Sequence, residues 1–149
     1  MEIAVEHNDV AAFEHFDALV ARCRADSAAH MTGGTCSEQE LRNVEEILRR
    51  PLPAVFRSFL ARQGGGVFYL RHEIFGAHRV MTHDIELVPD LLSFRAWLGA
   101  AVPANVLPIH RADGRIHALD LDAGCVHPLG AASPCYPTFS EFLERVVLP

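Results

Sequence analysis

Nine histidines and four cysteines in a chain of 149 residues are the side chains best suited to chemistry. Six of them fall in two runs: His72, His78 and His83, then Cys125, His127 and Cys135. Imidazole and thiolate are ordinary zinc ligands, and structural zinc sites present them as pairs at short, fixed spacing. Cys125 and His127 suit one face of a strand, but no second pair completes the set. The sequence therefore predicts dispersed histidines and reduced cysteines, with no metal and no cofactor. Cys36 precedes a helix start, where the helix dipole favours a thiolate. No nucleophile motif surrounds it, and a packing role accounts for it. Gly64-Gly65-Gly66 has the composition of a phosphate loop, but such loops precede a helix. Here the glycines follow a helix, and no Lys exists to complete a Walker motif. Asp120 and Asp122 flank Leu121 and are expected to share a strand face as paired carboxylates. No His or Arg is set beside them by spacing, so a strand entering a turn is the plainer reading. No catalytic residue is expected.

The elements that position these residues are legible from periodicity. Val10, Phe13, Phe16, Leu19, Val20 and Cys23 recur at helical spacing, with Asn8 or Asp9 as the expected cap. Asp26 to Thr35 reads as a loop. Ser37 and Glu40 form a capping box, with Cys36 and Leu41 at the staple positions around it. Leu41, Val44, Ile47 and Leu48 then form an apolar stripe. Pro51 disfavours helix at the residue before it. Pro53 suits a first-turn position of the next helix, whose buried face is Phe56, Phe59 and Leu60, and Gly64 suits its left-handed cap. Val67 to Leu70 reads as a strand, Ile74-Phe75-Gly76 as a strand end, and Pro89 to Leu98 as a helix. Val106 to Ile109 reads as a strand in which Pro108 marks an edge or a bulge. Asp113-Gly114 is a hairpin turn leading into Ile116–Leu121. A second turn at Asp122-Ala123-Gly124 leads to Cys125–Leu129. Thr138 and Glu141 cap a closing helix. Helices first, then short strands with tight turns, then one helix imply an α+β fold.

Composition narrows the function classes. The length is that of one domain, and a chain of this size buries roughly 70% of its unfolded surface, so it needs no metal or disulfide for stability. All thirteen basic residues are Arg, against nineteen acidic residues, for a net charge of −6. Such a protein is repelled by phosphate backbones, so direct nucleic-acid binding is not expected. The N-terminal MEIAVEHNDV lacks the pattern of a secretory leader. The longest apolar stretch, Phe94 to Ile109, is broken by two prolines, so no membrane span is expected. A cytoplasmic location with reduced thiols follows.

Several of these residues, taken in order, resemble the SUKH-domain superfamily, in the branch related to the yeast cell-wall-assembly regulator. The residues concerned are Ser37-Glu38-Gln39-Glu40, Leu52-Pro53, Phe56-Arg57-Ser58-Phe59-Leu60 and Gly64-Gly65-Gly66. Ile74-Phe75-Gly76, His117-Ala118-Leu119-Asp120 and Phe139-Ser140-Glu141-Phe142-Leu143 follow at the expected order and spacing. The resemblance covers residues 34–147 and makes residues 1–33 an N-terminal helical extension of a single domain, 1–149. It implies a SUKH-like α+β fold, with N-terminal helices packed on a mostly antiparallel sheet and a C-terminal helix. It also implies a non-enzymatic protein-binding module, similar to bacterial immunity proteins that neutralise polymorphic toxins by binding them.

Within that reading the partner is a protein such as a basic nuclease toxin domain, because opposite charge speeds encounter. The acidic residues outside the helical front half are the expected contacts: Glu73, Asp84, Glu86, Asp90, Asp120 and Asp122. Two alternatives stand beside it: a regulatory scaffold without a toxin partner, and a small metal- or Cys/His-dependent enzyme.

Overall fold

The structure is a computed structural model that describes residues 2–131 and 133–149, with side chains from residue 13 onward. Helix α1 (Glu2–Ala25) presents Phe16, Leu19, Val20 and Cys23 to the core. It starts at Glu2, so Asn8 and Asp9 fall inside it and do not begin it. The side chain of Val10, expected on the stripe, lies outside those described. Helix α2 (Glu38–Leu48) opens on the capping box: Ser37 Oγ accepts from Glu40 N at 3.1 Å, and Ser37 N donates to Glu40 Oε1 at 2.9 Å. It ends on Arg49 in the left-handed conformation, ahead of Pro51. Pro53 is the N-cap of α3 (Ala54–Arg62), one place earlier than the first-turn position expected.

Six strands form one antiparallel sheet in the order β1-β2-β3-β6-β7-β8. These are β1 (Met31–Thr32), β2 (Gly66–Phe68), β3 (His72–Ile74), β6 (Val106–Ala112), β7 (Arg115–Asp120) and β8 (Val126–Pro128). A separate hairpin pairs β4 (Val80–Thr82) with β5 (Ile85–Val88). Helix α4 (Leu91–Leu98) follows it, and the chain closes with α5 (Phe139–Phe142) and a π-helical turn, Leu143–Val147. The α+β architecture expected from the sequence is present.

Two strand expectations need correction. The segment Asp26–Thr35 is not all loop, because Met31 and Thr32 pair with Val67 and Gly66 as an edge strand. Strand β2 stops at Phe68, and Tyr69 and Leu70 take positive φ. Tertiary bonds hold Tyr69 there: its amide donates to His30 Nδ1 at 3.1 Å and its hydroxyl donates to Asp26 at 2.8 Å. Pro108 sits at a bulge of an interior strand. Strand β3 pairs only with His110 and Arg111, so the donor that Pro108 lacks is not needed there.

The glycine run does more than cap a helix. Gly64 takes φ +77° after α3, as expected. A Cβ on Gly65 would lie 2.5 Å from Gly76 N and 2.8 Å from Ile74 O, so two backbone segments touch there. Such an approach admits no side chain.

The sheet has two differently covered faces. Side chains alternate along a strand, so His72, His110 and His117 share one face by register. On that face Phe59 of α3 packs on Phe68, and Phe142 of α5 packs on His110. On the other face Phe94 of α4 packs on Phe75. Most of the buried apolar side chains form one continuous cluster that takes in residues of α1, α2, α3, α4 and α5.

Candidate functional site

The six acidic residues do not form one patch. Glu73 lies opposite Arg111 and takes both arms of its guanidinium at 2.8 Å. Asp90 is the N-cap of α4 and accepts from Ser93 N at 3.1 Å. Asp120 Oδ1 accepts the amides of Asp122 and Ala123, both at 2.9 Å. These amide donors hold the Asp120 carboxyl below its usual range. Asp122 lies in the turn after β7 and does not share a strand face with Asp120; it pairs with Arg50 at 3.0 Å. Asp84 and Glu86 are exposed on the β4–β5 hairpin and have no hydrogen-bond or ion-pair partner among the described residues.

Those two acids have apolar company that the sequence did not single out. Ile85 is 67% exposed, and Trp97 of α4 is 74% exposed. Glu86 and Trp97 line one shallow pocket of about 330 Å³, floored by Phe94 and Arg111. The Arg111 guanidinium stands 5.1 Å over the Phe94 ring, a cation–π contact. The hairpin was missed because its turn, His83-Asp84, has no glycine. Both residues take positive φ, which His and Asp tolerate better than most.

The histidines regroup as well. His78 leaves the first run: its Nδ1 meets Glu40 at 2.8 Å and its Nε2 meets the Gly33 carbonyl at 2.9 Å. Burial works against its charge, but the Gly33 carbonyl and the Glu40 carboxylate prevail and raise its pKa. His83 is exposed in the hairpin turn. His72 instead joins His110 and His117, far from it in sequence. His72 Nδ1 lies 2.9 Å from His110 Nε2, and His110 Nδ1 lies 3.1 Å from His117 Nδ1. All three rings are buried. Burial, then the neighbouring His117 and His72, lowers His110 to about 3. Burial and Arg71 lower His72; burial and Arg115 lower His117. The three rings are therefore neutral at pH 7. They line a cleft of about 1010 Å³.

Cys125, His127 and Cys135 do come together, around a second, mostly apolar cleft of about 680 Å³. Antiparallel pairing of Val126 with Tyr136 sets His127 across from Cys135. Burial, and then Cys135, raises the Cys125 thiol. No three of the described His, Cys, Asp and Glu side chains are placed to hold a metal ion together. In the imidazole chain the inward nitrogens are engaged with one another. Cys36 is buried at the staple position, and its Sγ accepts from Ala77 N at 3.3 Å. Burial raises its pKa, so it is a packed thiol rather than a poised thiolate.

Among the described residues no helix is long and apolar enough to cross a membrane. A comparison with curated proteins found no match. Among solved structures, the chain is similar to one described as "Crystal structure of protein from Pseudomonas syringae pv. tomato". The two superpose with a TM-score of 0.67 at 21% identity, over 88% of this chain and 97% of that one. That likeness is one of fold: helices around an antiparallel sheet. The sequence pattern of the SMI1 / KNR4 family (SUKH-1) matches residues 35–145, from the staple cysteine through the closing helix. With the capping box, the glycine crossing and every strand of the sheet except the edge strand β1 lying inside that match, the chain belongs to the SMI1 / KNR4 family (SUKH-1).

Proposed function

We propose that this protein is a non-enzymatic binding module of the cytoplasm, an immunity protein that neutralises a cognate bacterial toxin by occluding it. The observation that carries this reading is Trp97, 74% exposed and lining one pocket with the free acid Glu86 of the β4–β5 hairpin. Trp is among the residues most enriched at interface hot spots, where it supplies a large rigid anchor. Glu86 beside it and Asp84 on the same hairpin carry uncompensated negative charge, suited to steering a basic partner such as a nuclease domain. Glu73, Asp90, Asp120 and Asp122 were also expected as contacts. Each has at least one carboxylate oxygen engaged within the protein, so their part in binding is secondary to Asp84 and Glu86.

Co-expression with any toxin domain encoded by a neighbouring gene tests the reading. The protein should restore growth and co-purify with the toxin. Trp97→Ala should weaken the complex by about thirtyfold or more, the effect of losing a hot spot of roughly 2 kcal/mol. Glu86→Arg should mainly slow association. Failure to bind any neighbouring toxin domain, or wild-type affinity in both variants, would sink the proposal.

A further inference from the structure

We infer that the cleft over the His72–His110–His117 chain is a binding site for a small organic phosphate with a hydroxyl-bearing body, of which a phosphorylated sugar is the simplest example. The site lies on the opposite sheet face from Trp97 and does not depend on the toxin-binding reading.

Proton counting in the imidazole chain sets the first requirement. Each neutral ring carries one N–H, and each of the two ring–ring bonds uses one. Only two arrangements satisfy both conditions. In one, His72 donates to His110, His110 donates to His117, and the third proton sits on His117 Nε2. In the other, every donation reverses and the third proton sits on His72 Nε2. The chain thus always ends in one donor and one acceptor, and the ends exchange roles together. Neither Nε2 has a partner among the described residues. Ser140 Oγ is the one described buried side-chain N or O without a partner, so both Nε2 atoms must reach accessible space. Their rings are only 5% and 8% exposed, and both line the cleft. A hydroxyl both donates and accepts, so it fits either end in either arrangement.

The spacing of the ends sets the size. The rings stand on β3, β6 and β7, with centroids 5.2 Å and 5.1 Å apart along the chain. The ends are therefore about two strand spacings apart, roughly 10 Å. A single ion does not reach both, whereas a molecule with several hydroxyls does.

The rim sets the charge. Although the protein as a whole is acidic, three arginines line this cleft against one aspartate. Arg71 is paired with Asp113. Arg145 lies 3.9 Å from Glu141, a loose exposed pair, and Arg115 has no partner among the described residues. Two guanidinium groups thus remain for an anion of about two charges, and a guanidinium fork suits a phosphate group.

The test is a histidine-selective ¹⁵N NMR titration of the intact protein at neutral pH with ribose 5-phosphate, with ribose and inorganic phosphate as separate arms. Ribose 5-phosphate should shift the Nε2 signals of His72 and His117 saturably. Ribose alone and phosphate alone should each bind about tenfold more weakly or worse, as expected for losing one set of charge-assisted or hydroxyl contacts. The surface substitutions Arg115→Gln and Arg145→Gln, which leave the imidazole chain intact, should weaken ribose 5-phosphate by a similar factor. The inference fails if no saturable shift occurs. It fails equally if inorganic phosphate binds as tightly as ribose 5-phosphate, or if the folded arginine variants bind like wild type.

Discussion

Glu73–Arg111 and His72–His110 sit on the same two strands, one residue apart, on opposite faces of the sheet. The first pair is charged, bidentate and partly in water, with side-chain exposures of 22% and 35%. The second is neutral and buried, with the His110 ring edge-on to Phe142 of α5. A single step along the pleat converts a solvated ion pair into a desolvated imidazole chain. The comparison teaches that side-chain charge here is assigned by the covering layer. Where helices α3 and α5 exclude water, charge is suppressed. On the other face α4 buries Phe75 and Phe94, and beyond that contact charge and apolar side chains stand exposed together on Trp97 and the hairpin.

Removing the cover should break the contrast most severely. Phe142 is fully buried and packs against His110, His117 and Tyr136. Phe142→Ala should cost about 3–5 kcal/mol in urea unfolding, the usual loss for a buried aromatic side chain. On the open face Trp97→Ala should change stability by no more than about 0.5 kcal/mol. Equal losses would mean that the two faces are not covered differently.

The pH dependence sharpens the same point with a smaller effect. Burial first, then its histidine neighbours, lowers His110 from 6.5 to about 3. The unfolded chain therefore binds that proton more readily than the native one. Its contribution to stability is complete above about pH 6.5 and declines as pH falls toward 3. Unfolding free energies measured across this window should fall with acid in the wild type. In His110→Asn the slope should be shallower by up to about 1.4 kcal/mol per pH unit. An unchanged slope would mean that the chain is charged in the native state.

The ion pair should matter least. Glu73→Gln removes one partner of a partly exposed bridge and should cost about 0.5–1 kcal/mol, shrinking as salt is raised. A loss of several kcal/mol, insensitive to salt, would place Glu73–Arg111 with the buried groups and erase the distinction.

Much of the frame was legible from residue order alone. The Ser37–Glu40 box, the Gly64 cap, the Asp113-Gly114 turn and the Thr138 cap are local devices whose chemistry is complete within a few residues. The short edge strand Met31–Thr32 was not legible, because its only reason to be extended is its pairing with β2. The His83-Asp84 turn was hidden by the absence of glycine, and Tyr69 is held left-handed by His30 and Asp26 from another part of the chain.

The functional groups divide along the same line. Sequence alone determined the helices, the α+β class and the family pattern, because capping, periodicity and turn chemistry act over a few residues. It also supplied the list of acids and histidines. Only the tertiary structure decided which of them are available. It tied four acids into caps, turns and ion pairs, left two free on the β4–β5 hairpin with Glu86 beside an exposed Trp97, and drew His72 away from His78 and His83 to His110 and His117. Partnership and burial depend on strand register and on which helix covers which face. Both are set by contacts between residues distant in the chain, so spacing along the sequence carries no record of them.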